Sequence, residues 1–314
     1  MITNDLEIRV FGCRRSGNHA IINWISFQSP SPPHFFDCTP NDGGDILLTG
    51  KGRGDSGEQF KNLYYPHKSY KHASFEEKEK ARKMKKEVLI YNYEDLNLKK
   101  LDKKEYPIDR EKVTGKSKRR IDVLIIRDIY NWSSSKLTLH HKNSRGYHRE
   151  DMTHERFEKN RHKLPFFEFY NGWEEDAKQI RGLDYINFGK FIKAWKSHAE
   201  EALSITNRLS NLLVINFNRW VLDKTYRKSI IDKIGFIFTD KGHNIMGAVG
   251  GGSSFDKYKY AADASQMKLF DRWKFFKDNR LMQNIYAHYP DIVKLSDKLF
   301  GKKANYGCMA KMSD

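Results

Sequence analysis

Ile8-Arg9-Val10-Phe11-Gly12-Cys13-Arg14-Arg15-Ser16-Gly17-Asn18-His19-Ala20-Ile21-Ile22 is the stretch from which the rest of the chain is read. A short β-branched and aromatic run stops at Gly12 and passes through two arginines. It then turns into an apolar-periodic segment that begins near Gly17. That order predicts a strand, a tight cationic loop and a helix N-terminus. Backbone N–H groups and the positive end of the helix dipole converge there, and both attract an oxyanion.

The spacing Gly12-x4-Gly17 is the first half of a Walker A loop, but Asn18 and His19 stand where Lys and Ser/Thr complete it. Without that hydroxyl the usual Mg²⁺ ligand is missing. The loop therefore reads as an anion holder built from arginine and backbone donors, with no metal expected.

Working outward, the runs Glu7–Phe11, Asp45–Thr49, Val88–Tyr91, Ile121–Ile126 and Leu212–Phe217 are short, apolar and bounded by polar or turn residues, as buried parallel strands are. Helical patterns lie between most of them, over Gly17–Gln28, Trp132–His141, Phe188–Leu209 and Leu222–Ile234, and the C-terminal third is helical to about Phe300. Alternation of strand and helix predicts a three-layer α/β fold, P-loop-NTPase-like, with a mostly parallel central sheet flanked by helices. Residues 1–314 read as one domain, with a polar, His-, Arg- and aromatic-rich excursion at about 141–182 over the mouth of the sheet.

Composition narrows the class. No run approaches the roughly 18 apolar residues of a membrane span, and the N-terminus lacks the pattern of a signal peptide. The expectation is a soluble, cytoplasmic protein. Cys13, Cys38 and Cys308 are too few and too scattered for a disulfide framework or a zinc site. The net charge of +17 attracts polyanions. Part of it reads as a solvated face, as in the charged helix expected over Glu76–Lys86 behind the Ser74-x-x-Glu77 capping box.

A second segment carries chemistry. The buried run Ile121–Ile126 ends on Arg127, and a helix begins near Asn131 with Ser135 eight residues beyond the arginine. Ligands of open parallel sheets sit beyond the carboxyl ends of the strands, which puts Arg127 at the same crevice as the first loop.

Together the two segments resemble the sulfotransferases that use 3′-phosphoadenylyl sulfate. The first loop of that family commonly reads Lys/Arg-Ser-Gly-Thr-Thr/Ser, and Arg15-Ser16-Gly17-Asn18-His19 matches it with Asn and His in place of the two hydroxyl residues. Arg14 stands where proline or glycine is often found. The second motif is a strand ending in Arg with Ser eight positions later, as in Arg127 and Ser135. Trp195-x-x-His198 before the run Leu212–Phe217, and the Gly/Ser loop Val249-Gly250-Gly251-Gly252-Ser253-Ser254-Phe255, extend the likeness toward the C-terminus.

The resemblance implies that Arg14, Arg15 and the backbone of Ser16, Gly17, Asn18 and His19 hold the 5′-phosphate of 3′-phosphoadenylyl sulfate. It implies that Arg127 and Ser135, with the loop of Gly252, Ser253 and Ser254, hold the 3′-phosphate. Adenosine 3′,5′-bisphosphate is then the product, and Arg15 stabilises charge on the bridging oxygen. The acceptor would be a hydroxyl or amine, with a carbohydrate fitting a basic, aromatic-rich crevice, and no obligate nucleic-acid partner is expected.

In-line transfer needs a general base, which this family usually places near the end of a central strand. Glu94, after Val88–Tyr91, is the first candidate, and His140, His141 and His148 are the others. Gly52-Arg53-Gly54-Asp55-Ser56-Gly57 matches G-x-G-x-x-G but lacks a following helix, so it reads as a substrate loop or a turn. Two further readings remain open: a P-loop nucleotide kinase or NTPase, and a non-enzymatic binder of nucleic acid or acidic polymer.

Overall fold

The computed structural model describes residues 2–36, 74, 76, 80, 83–103, 111–144, 185–246, 253–256, 259–277 and 280–302. Among these residues five strands form one sheet: β1 Ile2–Gly12, β2 His34–Phe36, β3 Lys86–Glu94, β4 Lys116–Ile126 and β5 Leu212–Asn216. The order is β2-β3-β1-β4-β5, and every described pairing is parallel. The eight α-helices among the described residues are α1 Asn18–Gln28, α2 Glu111–Thr114, α3 Ile129–Ser144, α4 Tyr185–Ala202, α5 Phe217–Leu222, α6 Lys224–Ile234, α7 Arg280–His288 and α8 Pro290–Phe300. None of the described helices is long and apolar enough to cross a membrane.

Strand residues alternate between the two faces, as pleating requires. Ile8, Val10, Val88, Ile90, Val123, Ile125 and Ile215 share one core with Ile21 and Ile25 of α1 and Ile230, Ile231 and Ile234 of α6. Phe11, Leu89, Tyr91, Tyr93 and Leu124 point the other way, where Ala202 of α4 joins them. Helices thus cover both faces, which explains the continuous apolar runs Val88–Tyr91 in β3 and Val123–Ile126 in β4.

Four of the expected strands appear, longer at one or both ends except that Phe217 leaves β5 to open α5. The short edge strand β2 follows the proline cluster and was not anticipated. It pairs His34 with Leu89 and Phe36 with Tyr91. The helix expected over Leu222–Ile234 is α6, which starts at Lys224 because the Asp223 carboxylate accepts from the Tyr226 N–H, while Leu222 ends α5. The helix expected over Phe188–Leu209 ends at Ala202, beyond which Ser204 takes a positive φ of 55°. Lys86 belongs to β3 and not to the charged helix expected to end there. The run Asp45–Thr49, the glycine pattern at 52–57 and residues 145–182 of the excursion lie outside the described residues, while residues 141–144 end α3.

Candidate functional site

The strand order determines where a crevice opens. The chain leaves β1 toward β2 on one side of the sheet and leaves β4 toward β5 on the other. Neighbouring strands whose connections diverge create the cleft in which open parallel sheets hold ligands. The two motifs of the sequence follow these two strands.

The first loop is a tight curl. Ser16 N–H donates to the Cys13 carbonyl at 3.0 Å, and Arg15 and Gly17 adopt positive φ angles of 78° and 94°. Gly17 caps α1 without a side-chain hydrogen bond, so no cap side chain covers the first-turn N–H groups. Both flanking glycines are sterically required. A Cβ on Gly17 would meet the Phe217 ring at 2.2 Å, and one on Gly12 would meet Asn18 Oδ1 at 2.1 Å. Asn18 staples the loop to its own strand: Nδ2 donates to the carbonyls of Gly12 and Cys13 at 3.2 and 3.4 Å. Buried indoles hold the neighbouring carbonyls. Trp132 Nε1 donates to Arg14 O at 3.0 Å, and Trp195 Nε1 to Arg127 O at 2.9 Å.

On the β4 side a buried basic chamber brings together Arg15, Arg127, Ser135, Ser253 and Ser254. Arg127 is 2% exposed. Its Nη1 donates to the Arg15 carbonyl and the Ser135 hydroxyl, both at 3.3 Å, and its Nη2 to the Leu269 carbonyl at 2.7 Å. Arg15 Nε donates to Ser254 Oγ at 2.6 Å, and Ser254 in turn donates to the Ser135 carbonyl at 2.9 Å. Gly252 lies outside the described residues.

Arg272, which no motif flagged, completes the chamber. It donates to Ser135 Oγ at 3.2 Å, to Ser253 Oγ at 2.8 Å and to Asp256 at 3.2 Å. Burial pulls its guanidinium down to about 10, with Asp256 opposing the shift. Arg127 lies 5.1 Å above the Phe217 ring and Arg272 5.0 Å above that of Phe255, a cation–π arrangement. The available signal for Arg272 was an arginine among Phe270, Trp273, Phe275 and Phe276. Such a neighbourhood implies burial, and a buried arginine needs partners.

On the β3 side, parallel register sets Glu94 opposite Gly12. Glu94 accepts from Arg14 Nε at 3.2 Å and from Asn18 Nδ2 at 3.4 Å, and its Oε1 lies 4.0 Å from His19 Nδ1. The next residue, Asp95, accepts from the Arg14 N–H at 2.8 Å and from Lys136 Nζ at 2.7 Å. Lys136 is 1% exposed and sits 3.7 Å above the Phe191 ring. Burial pulls its ammonium down and Asp95 pulls it back. Neither Asp95 nor Lys136 was singled out by sequence reasoning, although each directly follows a residue that was. The backbone of α3 includes His140 and His141, whose side chains are outside the described set, as is all of His148.

Trp195 and His198, one turn apart on α4, buttress both loops. His198 Nε2 faces the Leu96 carbonyl at 2.8 Å, and Nδ1 stands 3.7 Å from Cys13 Sγ. A carbonyl only accepts, so Nε2 carries the proton and Nδ1 receives the thiol. Burial holds both groups neutral, pulling His198 down to about 4 and pushing the Cys13 thiol well up. Among the described residues no group of three or more His, Cys, Asp or Glu could hold a metal ion.

The arrangement gathers hydrogen-bond donors at two places: the curled loop at the start of α1, and the arginine–serine chamber between β4 and the segment from 253 to 272. Comparison with protein-family models and with curated proteins finds no match to this chain.

Proposed function

We propose that the protein is a P-loop-like sulfotransferase that moves a sulfuryl group from 3′-phosphoadenylyl sulfate to a hydroxyl or amine acceptor, with a saccharide as the acceptor class. The observation that carries this reading is the pair of bonds from Arg127, one to the loop backbone at Arg15 and one to Ser135. They join the helix N-terminus to the chamber that Arg272, Ser253 and Ser254 complete. A nucleotide with phosphates on two positions of its ribose needs two linked anion sites of this kind.

The residues fit such a ligand. The Ser16 hydroxyl and Arg272 Nε are buried with no hydrogen-bond partner among the described residues, one in each subsite. Guanidinium and hydroxyl donors suit phosphate oxygens. The loop N–H groups and Arg15 would hold the 5′-phosphate and meet the charge that grows on its bridging oxygen. Arg127 and Ser135 would hold the 3′-phosphate. β3 and β4 lie on opposite sides of β1, so Glu94 and Arg127 flank the loop from opposite sides and leave the β3 side for the acceptor. Asn18, tied to two backbone carbonyls, stands where a kinase would extend its phosphate-binding lysine, which weighs against ATP chemistry.

The test is titration calorimetry of the full chain with adenosine 3′,5′-bisphosphate and with AMP, followed by transfer from sulfur-labelled donor. Bisphosphate should bind tighter by about 1.5–3 kcal/mol, the range of hydrogen bonds to charged groups. Equal affinities would remove the chamber's role. Arg15→Ala should fold and fail to transfer; a fully active variant would remove the role given to Arg15.

A further inference from the structure

One carboxylate stands inside the arginine–serine chamber. Asp256 Oδ2 accepts from Ser253 Oγ at 2.8 Å and from Arg272 Nη2 at 3.2 Å. That bond commits the only proton of the Ser253 hydroxyl. Its oxygen meanwhile accepts from Arg272 Nη2 at 2.8 Å and from the N–H groups of Phe255 and Asp256 at 3.2 and 3.0 Å. A hydroxyl donates once, so Ser253 cannot serve a phosphate oxygen while it serves this carboxylate. Arg272 is engaged in the same way. Its Nη1 reaches Ser135 Oγ at 3.2 Å, and its Nε has no hydrogen-bond partner among the described residues.

The two halves of the ion pair differ in their access to water. The Arg272 side chain is 6% exposed and lies 5.0 Å above the Phe255 ring, whereas the Asp256 side chain is 24% exposed. A buried guanidinium needs an anion beside it, while a partly exposed carboxylate can turn to solvent. Rotation of one side chain suffices for that, because backbone N–H groups on Ser253 Oγ hold the turn from Ser253 to Asp256.

We propose that Asp256 competes with the 3′-phosphate for Arg272 and for the Ser253 hydroxyl, so that the chamber gives up its own carboxylate when it takes the nucleotide. The inference rests on the sulfuryl-transfer reading above. No covalent bond changes. The phosphate takes over the donors of Arg272 and Ser253, and the displaced carboxylate passes to water. The two anions exclude each other, because like charges at one site repel. A nucleotide with a 3′-hydroxyl brings no charge with which to displace the carboxylate. Asp256 therefore tempers affinity for every ligand that carries the 3′-phosphate, donor and product alike, and leaves affinity for AMP unchanged.

Titration calorimetry of the full chain with adenosine 3′,5′-bisphosphate and with AMP reads this competition. Asp256→Asn keeps the size of the side chain and removes its charge. It should bind the bisphosphate about tenfold or more tighter than wild type, the worth of one hydrogen bond to a charged group. AMP affinity should stay within about twofold. Asp256→Ser, with a shorter side chain, should show the same gain. Arg272→Gln should weaken bisphosphate binding, and in the double variant Asp256→Asn/Arg272→Gln the gain should shrink to about twofold or less, because the contested guanidinium is gone. Lower bisphosphate affinity in both Asp256 variants would make the carboxylate a support that holds Arg272 in place, and would overturn the proposal. Unchanged affinity would overturn it too. An equal gain for AMP would put the effect in net charge and not in the chamber, with the same consequence. Equal affinity for the two nucleotides in wild type and in every variant would instead remove the transfer reading, and this inference with it.

Discussion

Arg127 donates to the carbonyl of Arg15 at 3.3 Å, so the guanidinium that follows β4 holds the backbone of the loop that follows β1. The same side chain reaches Ser135 and Leu269. We therefore expect Arg127→Lys to behave as a severe change, because an ammonium cannot serve three divergent acceptors. Bisphosphate affinity should fall toward that for AMP, and stability should drop by about 2–4 kcal/mol, as for other losses within buried charged networks. Calorimetry with both nucleotides and urea denaturation check the two halves. A variant that still prefers the bisphosphate would leave the chamber without its central donor.

The glycine that starts α1 makes a second expectation. Gly17 combines a φ of 94° with a virtual Cβ 2.2 Å from the Phe217 ring. Alanine there pays about 1–2 kcal/mol for the left-handed backbone and about 1–3 kcal/mol for overpacking. Phe217→Ala should relieve only the second cost. The double variant Gly17→Ala/Phe217→Ala should thus be more stable than the sum of the single losses, and still weaker in bisphosphate binding than wild type. Additive urea midpoints would mean that the ring and the loop do not press on each other.

Much of this architecture is legible in the sequence. Strand-like runs ending on Gly12 and Arg127 marked β1 and β4, and the helix starts marked the loops. What stayed hidden depends on contacts distant in sequence. Glu7 and Arg9 lie in a run read as a buried strand and are 0% and 3% exposed, but the run does not name the partners that burial demands. Asp122 of β4 binds Arg9 through both oxygens, while Tyr91 and Ser117 donate to Glu7. Arg272 and Lys136 escaped notice for the same reason. Arg272 lies in a 3₁₀ turn with no periodicity to read, and Lys136 has as its partner a carboxylate 41 residues away in the chain. Helix phase places Ser135 and Lys136 about 100° apart on α3, so one faces the chamber and the other faces Asp95.

That Lys136–Asp95 pair can be measured directly. Lys136→Met leaves Asp95 with the Arg14 N–H and no buried cation at 2.7 Å, and should cost about 2–4 kcal/mol, discounted because Asp95 is 17% exposed. Asp95→Asn strands the ammonium in turn. In the double variant neither charge is left behind, so urea denaturation across the cycle should show favourable coupling of about 1 kcal/mol or more. No coupling would mean that solvent already satisfies the lysine.

His198 sets an acid limit on the fold. Burial pulls its folded-state value down to about 4, against an ordinary value of about 6.5 in the unfolded chain. Between these values the unfolded chain binds one more proton than the native one, so stability rises with pH across this window. The contribution is whole above about 6.5 and is lost as pH falls toward 4, on the order of 3 kcal/mol in all. The Cys13 thiol, pushed well up, stays protonated throughout and does not alter the slope. Carboxylates add their own acid dependence, so the readout is the difference between wild type and His198→Gln. Urea denaturation at half-unit steps from pH 7.5 to 4.5 should give a shallower fall for the variant, by about 1.4 kcal/mol per pH unit at the steepest. Parallel curves would mean that the imidazole takes up its proton without leaving the Leu96 carbonyl and the Cys13 thiol, and that the contact between α4 and the loop after β1 survives acid.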